Sequence, residues 1–176
     1  LDKTVGAGLI DEGDEIYLIG NDGEELGGSE FIKQYTGAVA GDAPFIDLNE
    51  EINLQKVILQ SIRNGIIKSA HDCSEGGLAI CLAEKSIFSS KKLGAEINLN
   101  GNLNYAKLFG ESQSRIVVSL SKDKISELEK LCNTHNQKFQ KIGKVVKEKF
   151  EIKNCFSISV QKITELYEKA IPDLMK

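Results

Sequence analysis

The chain of 176 residues contains no tryptophan, only two prolines and two histidines, and no apolar run close to the ~20 residues that cross a bilayer. It also does not open with a basic segment followed by an apolar stretch, the pattern of a secretion signal. These absences argue against a membrane-spanning helix and a membrane partner. They predict a cytoplasmic location.

Metal-binding and nucleic-acid-binding patterns are missing as well. The four cysteines show no CxxC or Cys/His spacing of a structural zinc site, so we expect no metal site and reduced, mostly buried thiols. Residues 1–60 hold 13 acids and 3 bases, whereas residues 61–176 hold 13 acids and 19 bases. The lysines of this basic part alternate with acids and apolar residues, without interleaved aromatic residues, which predicts a solvated face and no nucleic-acid partner.

What is present describes a globular protein. The chain is 41% hydrophobic and 27% charged with 16 glycines, and its length fits one domain that covers residues 1–176. Because the chain begins with Leu1 rather than with a methionine, we expect a fragment of a longer chain that carries only part of a site.

Hydrophobic periodicity predicts alternating strands and helices. The predicted strands are 15–20, 66–70, 94–99, 115–120, 139–146 and 156–160. The predicted helices are 29–37, 48–66, 74–88, 122–136 and 163–171, the last one stopped by Pro172. This alternation favours an α+β or mixed α/β domain in which helices cover a sheet. Neither a P-loop nor a complete dinucleotide-binding fingerprint is present.

Three stretches combine glycine with small polar residues: LGGSE, HDCSEGG and GESQSR. In the first two, Ser29 and Ser74 are expected to cap helices. Helix starts carry unpaired N–H groups that bind anions, and glycine lets a ligand approach the backbone closely. The candidate nucleotide- or substrate-binding residues are Gly27, Gly28, Ser29, Asp72, Ser74, Gly76, Gly77, Glu111, Ser112, Gln113 and Arg115.

These stretches also have a purely structural interpretation. The serines could be plain helix caps, and the glycines could serve close packing of helix on sheet. An attacking Cys73 beside His71 lacks the sequence context of a cysteine nucleophile. Asp72, just before a predicted helix, would commonly bind backbone N–H groups.

The ESQS run has the richest chemistry. Glu111 can accept hydrogen bonds, Ser112 can donate and accept, and Gln113 can bind a carbonyl and an amine together. Arg115 adds a permanent charge for phosphate or carboxylate.

The phrases ELGGSEF, SAHDCSEGGLAICLAE and LFGESQSRIVVSL, preceded by IYLIG and followed by AIP, resemble a known family. They are similar to the last domain of the large-subunit family of phosphoribosylformylglycinamidine synthases, which belongs to the aminoimidazole ribonucleotide synthetase-related superfamily. The resemblance runs from Thr4 to Pro172. It implies an α+β three-layer sandwich of helices on a mixed sheet with partial ferredoxin-like topology.

The resemblance also implies a function in de novo purine synthesis. The full-length enzyme would use ATP and Mg²⁺ to convert formylglycinamide ribonucleotide to formylglycinamidine ribonucleotide with ammonia from glutamine. Its partners would be the N-terminal domains of the same polypeptide, a glutaminase subunit and a small bridging subunit. The family's catalytic residues would lie in the N-terminal domains, so no catalytic residue and no bound cofactor are expected in this chain.

Two alternatives remain at this point. The chain could be the C-terminal domain of another ATP-using member of the superfamily, or a non-catalytic binding or oligomerisation module. If it is a fragment of the synthase, an apolar face of its sheet should pack against the missing domains and be exposed in isolation.

Overall fold

A seven-stranded mixed sheet forms the centre of the computed structural model, which describes residues 3–101 and 103–175. The strands are β1 (Glu15–Ile19), β2 (Ser69–Asp72), β3 (Leu93–Ile97), β4 (Ile116–Leu120), β5 (Phe139–Lys147), β6 (Lys149–Ile152) and β7 (Phe156–Ser159). The helices within the described residues are α1 (Glu30–Thr36), α2 (Leu48–Arg63), α3 (Gly77–Ile87), α4 (Tyr105–Phe109), α5 (Ile125–Thr134) and α6 (Val160–Leu174).

The strand order is β2-β4-β1-β5-β3-β6-β7. Every pairing is antiparallel except that of β3 with β6, which is parallel and makes the sheet mixed. β1 lies between β4 and β5, and all five of its residues are buried. A strand buried on both faces implies a covering layer on each side.

Alternate side chains of β1 enter two different cores. Ile16 and Leu18 pack with residues of α3 and α4, whereas Tyr17 and Ile19 pack with residues of α2 and α5. Helices therefore cover both faces of the sheet, which confirms the expected three-layer α+β sandwich.

Local sequence explains where several helices begin. The Asp47 carboxylate accepts hydrogen bonds from the N–H groups of Asn49 and Glu50 at the start of α2. Ser29 and Ser159 accept N–H groups in the first turns of α1 and α6. The predicted Ser29 cap is thus confirmed, and Gly37 in the left-handed conformation ends α1 as expected.

Some predicted boundaries were wrong. The second helix ends at Arg63 rather than at residue 66, because Gly65 turns the chain with a φ of +65°. Ile66 and Ile67 then pack in the core without belonging to the helix, so the apolar pattern continued past the helix end. The strand predicted at 66–70 is accordingly displaced to Ser69–Asp72.

Two short elements, α4 and β6, were not predicted, and one stop signal was misread. Pro172 lies inside α6, which continues to Leu174. A proline in the last helical turn removes a backbone hydrogen bond but has a φ compatible with the helix, so it did not end the helix where expected.

The expectation of an exposed apolar sheet face was wrong, because helices cover both faces. Exposed apolar side chains instead lie around α1, which buries none of its residues, and along α6, where Leu166, Tyr167 and Ile171 are exposed. Tyr35 is 82% exposed, Phe45 75% and Tyr105 66%. The ring of Phe31 stacks between this surface and the body of the protein, with centroids 5.2 Å from those of Tyr105 and Phe109. We call Phe31, Tyr35, Phe45 and Tyr105 the α1 surface.

In the described parts of the chain, no helix combines the length and apolar character that crossing a bilayer requires.

Candidate functional site

The three glycine- and serine-containing stretches meet at the carboxylate of Glu111. Its Oε1 atom accepts a hydrogen bond from the Gly76 N–H at 2.8 Å and another from the Glu30 N–H at 2.9 Å. These N–H groups stand at the starts of α3 and α1. A helix start attracts negative charge, and here the protein supplies that charge from its own chain.

The LGGSE stretch is held by a neighbouring loop. A Cβ atom at Gly27 would lie 2.2 Å from the carbonyl oxygen of Asp42, so only glycine fits there. Gly28 has a φ of +72° and donates its N–H to the Ala40 carbonyl at 2.8 Å. The Ser29 hydroxyl donates to the Leu26 carbonyl at 2.6 Å. In the structure, these residues fix the path of the chain into α1.

The HDCSEGG stretch begins its helix later than predicted. Gly76 is the residue before α3, it is in the left-handed conformation, and no side chain caps the helix there. The Ser74 hydroxyl donates instead to the Asp72 carboxylate. The prediction that Ser74 caps this helix was therefore wrong, since the Gly76 N–H is bound by Glu111 and Ser74 is engaged elsewhere.

Gly77 marks the closest approach in the site. A Cβ atom at this position would lie 2.4 Å from the Gly110 carbonyl oxygen and 2.9 Å from the Phe109 carbonyl carbon. The start of α3 thus packs directly on the backbone that follows α4. This contact requires glycine whether or not a ligand binds nearby.

Arg115 contributes to the cleft lining but is buried, with 3% of the residue exposed. Its Nε atom donates to the Ser112 carbonyl at 3.0 Å, and Nη2 donates to the Gly110 carbonyl at 2.5 Å. The Ser112 hydroxyl, also buried, accepts the Glu25 N–H at 3.3 Å. Arg115 and Ser112 therefore shape the loop that presents Glu111 and Gln113.

A cleft of about 340 Å³ opens between the ends of β2 and β4 and the first turns of α2. Five of the predicted residues contribute to its lining: Asp72, Ser74, Glu111, Gln113 and Arg115. A neighbouring cleft of about 400 Å³ shares Gln113 and adds Ser112. Gly27, Gly28, Ser29, Gly76 and Gly77 do not line either cleft. The predicted residues thus divide into a cleft-lining group and a group that supports the loops.

Carboxylates dominate the chemistry of the smaller cleft, where Glu51, Glu75, Asp72 and Glu111 all take part in the lining. The Ser74 hydroxyl, which donates to the Asp72 carboxylate, lowers the pKa of Asp72 and keeps it ionised. In the neighbouring cleft the Phe45 N–H donates to Glu25 and lowers its pKa. Both openings are therefore negatively charged.

The negative charge of the cleft disfavours binding of a triphosphate. The helix-start N–H groups of Glu30 and Gly76 are bound to Glu111, and the guanidinium of Arg115 donates to backbone carbonyls. Across residues 3–101 and 103–175, moreover, no three His, Cys, Asp or Glu side chains are arranged to hold a metal ion. The residues of this cleft therefore do not fit ATP phosphates or Mg²⁺ as they stand.

Sequence reasoning missed some residues of this region. Glu51 accepts a hydrogen bond from the Ser114 hydroxyl at 2.7 Å, which ties α2 to the ESQS loop. Ser114 itself has a φ of +59°.

Lys85 is fully buried on α3 and donates to the Ala7 carbonyl and the Ser69 hydroxyl, each at 2.9 Å. A lone lysine within the apolar stretch LAICLAEKSIF was a visible signal for this buried role.

Removing Glu111 should loosen both helix starts. We expect Glu111→Ala to lower the free energy of unfolding by about 3 kcal/mol, because two hydrogen bonds to a charged group are lost. Glu111→Gln keeps an acceptor oxygen and should cost about 1 kcal/mol. Urea unfolding measures both values. Exposed Glu75, in the same cleft, is the matched control, and an equal loss in Glu75→Ala would contradict the role given to Glu111.

The family model described as "AIR synthase related protein, C-terminal domain" matches residues 11–153. The chain belongs to this family. The fold described above is therefore that of a C-terminal domain of the aminoimidazole ribonucleotide synthetase-related class.

Individual proteins that are similar to this chain share one protein name. The chain is 36% identical over 185 residues to phosphoribosylformylglycinamidine synthase subunit PurL of Symbiobacterium thermophilum, a match that covers all of this chain and 24% of that protein. The chain thus spans about a quarter of the length of this curated relative. Thermotoga maritima PurL complexed with FGAR matches 93% of this chain and 30% of its own, with a TM-score of 0.73 and 22% identity. The same protein complexed with ATP gives a TM-score of 0.69 and 22% identity over 93% of this chain and 27% of its own, and at such identities the likeness shows the fold.

Proposed function

We propose that the chain serves as the C-terminal domain of a phosphoribosylformylglycinamidine synthase large subunit in cytoplasmic de novo purine synthesis. The complete enzyme would convert formylglycinamide ribonucleotide to the amidine, with ATP and Mg²⁺ as cofactors and ammonia delivered from a glutaminase subunit through a small bridging subunit. The observation that carries the proposal is the 36% identity to a PurL subunit along the whole chain. The isolated chain would be inactive, because the catalytic residues would lie in the rest of the polypeptide.

Within that enzyme we assign two roles to the predicted residues. Asp72, Ser74 and Gln113 line the open cleft and are the candidates for contact with the uncharged part of a nucleotide or substrate, whose phosphates other domains would bind. The remaining predicted residues would position the loops around them: Gly27, Gly28, Ser29, Gly76, Gly77, Glu111, Ser112 and Arg115. Their hydrogen bonds and close backbone contacts support this role.

The α1 surface is our proposed contact with the rest of the polypeptide. Aromatic side chains this exposed are typical of interfaces. The first 60 residues, which include α1, hold 13 acids against 3 bases. The complementary surface should therefore combine an apolar centre with lysine or arginine at its rim. The three quarters of the PurL relative that lie outside the match are the source we propose for that surface.

A chimera tests the function directly. The matching quarter of the Symbiobacterium thermophilum subunit is replaced by this chain, and ammonia-dependent formation of the amidine from formylglycinamide ribonucleotide and ATP is measured. We expect turnover within about tenfold of the parent subunit, a loss of no more than about 1.4 kcal/mol in transition-state stabilisation. The parent subunit without its last quarter and the isolated chain should both be inactive.

A second chimera carries Tyr35→Glu, which places a charge in the centre of the α1 surface. It should assemble poorly and lose activity, whereas Tyr167→Glu on the exposed part of α6 should not. A folded first chimera without turnover would contradict the proposed function. Full turnover in the Tyr35→Glu chimera would contradict the proposed contact only.

A further inference from the structure

A further cleft, of about 810 Å³, opens where β1 ends and β5 begins. Residues 20–22, Asn133 and residues 136–140 line it. Five of the lining side chains are carboxamides: Asn21, Asn133, Asn136, Gln137 and Gln140. None of the binding residues predicted from the sequence lines this cleft. We call it the amide cleft.

Hydrogen bonds fix the backbone of the amide cleft. The Gly20 N–H donates to the Lys138 carbonyl at 2.8 Å, which joins the segment after β1 to the segment before β5. The Gln137 N–H donates to the Cys132 carbonyl at 2.8 Å. Asn136 turns the chain with a φ of +52°, a conformation that asparagine adopts more readily than most residues. A cleft whose shape is already fixed favours binding, because less order has to be created when a ligand enters.

Gln137 is a buried side chain of the amide cleft, with only 7% of the residue exposed. Across residues 3–101 and 103–175, its side-chain amide makes no hydrogen bond. The fully enclosed polar atoms without a partner belong to other described residues, so the amide of Gln137 keeps access to the cleft. Buried amides are normally hydrogen-bonded, because an unpaired one costs free energy. A ligand in the cleft would supply the missing partner.

The charges along the amide cleft are largely balanced. Both carboxylate oxygens of Asp22 accept hydrogen bonds, one from Lys107 Nζ at 3.0 Å and the other from Gln140 Nε2 at 2.7 Å. Lys138 is the other charged residue of the lining. The clefts beside Glu111 are rich in carboxylates, whereas this one is rich in neutral amides. Its polar groups therefore suit an uncharged ligand that both donates and accepts hydrogen bonds.

The lining fits a planar heterocycle of this kind. A carboxamide places a donor beside an acceptor, the pattern with which asparagine and glutamine bind N6 and N7 of adenine. The half-buried ring of Phe139, whose centroid lies 6.5 Å from that of Tyr17, adds an aromatic surface on which a base can stack. We propose that the amide cleft binds the adenine base of an uncharged nucleoside, with Gln137 recognising its N6 and N7 edge.

An NMR titration of the ¹⁵N-labelled chain with adenosine tests the proposal. The side-chain amide signals of Asn133, Asn136 and Gln137 should shift together and saturate, whereas those of exposed Gln55 and Gln161 should not move. 7-Deazaadenosine lacks the N7 acceptor and should bind at least about tenfold more weakly, because one bidentate pair is lost. Equal affinities for adenosine, 7-deazaadenosine and uridine would overturn the proposal, as would the absence of saturable shifts.

The variant Gln137→Leu removes the amide and nearly keeps the volume of the side chain. It should weaken adenosine binding at least about tenfold without lowering stability in urea, because the amide has no partner among the described residues. Gln161→Leu on α6 is the matched control and should leave the affinity unchanged. Undiminished binding to folded Gln137→Leu would contradict the assigned role. If that variant does not fold, the comparison of adenosine with 7-deazaadenosine on the unaltered chain gives the answer alone.

The amide cleft is formed by this chain alone, and its binding is measured without the rest of a synthase. The chimera that tests the proposed function measures turnover instead. Failure of adenosine binding would therefore leave the proposed function intact, and an inactive chimera would leave the amide cleft intact.

Discussion

Replacing Gly77 by alanine is expected to lower the free energy of unfolding by about 3 kcal/mol, the sum of a strained backbone and an overpacked contact. The φ of +65° at Gly77 disfavours any residue with a Cβ atom. The added methyl group would also lie 2.4 Å from the Gly110 carbonyl oxygen, and two backbone segments must separate to make room. Urea unfolding of the variant measures the loss.

Gly65 provides a matched control because it has the same φ of +65° but no atom within 4 Å of the position a Cβ atom would take. Gly65→Ala should therefore cost about 1 kcal/mol, the backbone contribution alone. The difference between the two variants isolates the contact of α3 with the backbone after α4. Equal losses would show that packing does not explain the glycine at position 77.

The sequence predicted the layers of this fold better than the roles of its polar residues. The buried face of a helix or strand produces a periodic apolar pattern among residues that are close together in the chain. The sequence therefore indicated β1, α3 and β4. The carboxylate of Glu111 binds N–H groups of residues 35 and 81 positions away. No local pattern contains such a contact, and the predicted Ser74 cap was wrong for this reason.

Arg115 shows the same difficulty for charge. Beside glycine and serine, an arginine is typical of a phosphate site, and the sequence alone favoured that use. In the structure its donors are directed to the carbonyl oxygens of Gly110 and Ser112, which lie three to five residues earlier. Whether a side chain faces a ligand or its own loop depends on how that loop folds back. The residue types at a junction were therefore predictable, whereas the direction of each side chain was not.

Lys85→Met is expected to abolish a pH-dependent part of the stability. Burial lowers the pKa of Lys85 from 10.5 to about 8, while the thiols of Cys81 and Cys73 oppose this shift. Below pH 8 the folded and unfolded chains both carry the charge, and the folded state bears the full cost of burying it. Between about pH 8 and 10.5 the unfolded chain binds more protons than the folded chain, so the free energy of unfolding of the natural chain should rise with pH.

The rise corresponds to about 3 kcal/mol for this lysine, at about 1.4 kcal/mol per pKa unit. Other groups titrate in the same range: burial raises the pKa of Tyr17 and of Cys132 to about 12, which lowers stability as the pH rises above their unfolded values. These groups are common to both proteins, so the quantity to compare is the difference in the free energy of unfolding between the natural chain and Lys85→Met, measured at pH 7 and at pH 10.

Exposed Lys130→Met is the control, and its free energy of unfolding should differ from that of the natural chain by nearly zero at both pH values. A difference for Lys85→Met that is the same at pH 7 and pH 10 would mean that Lys85 is equally protonated in the folded and unfolded states.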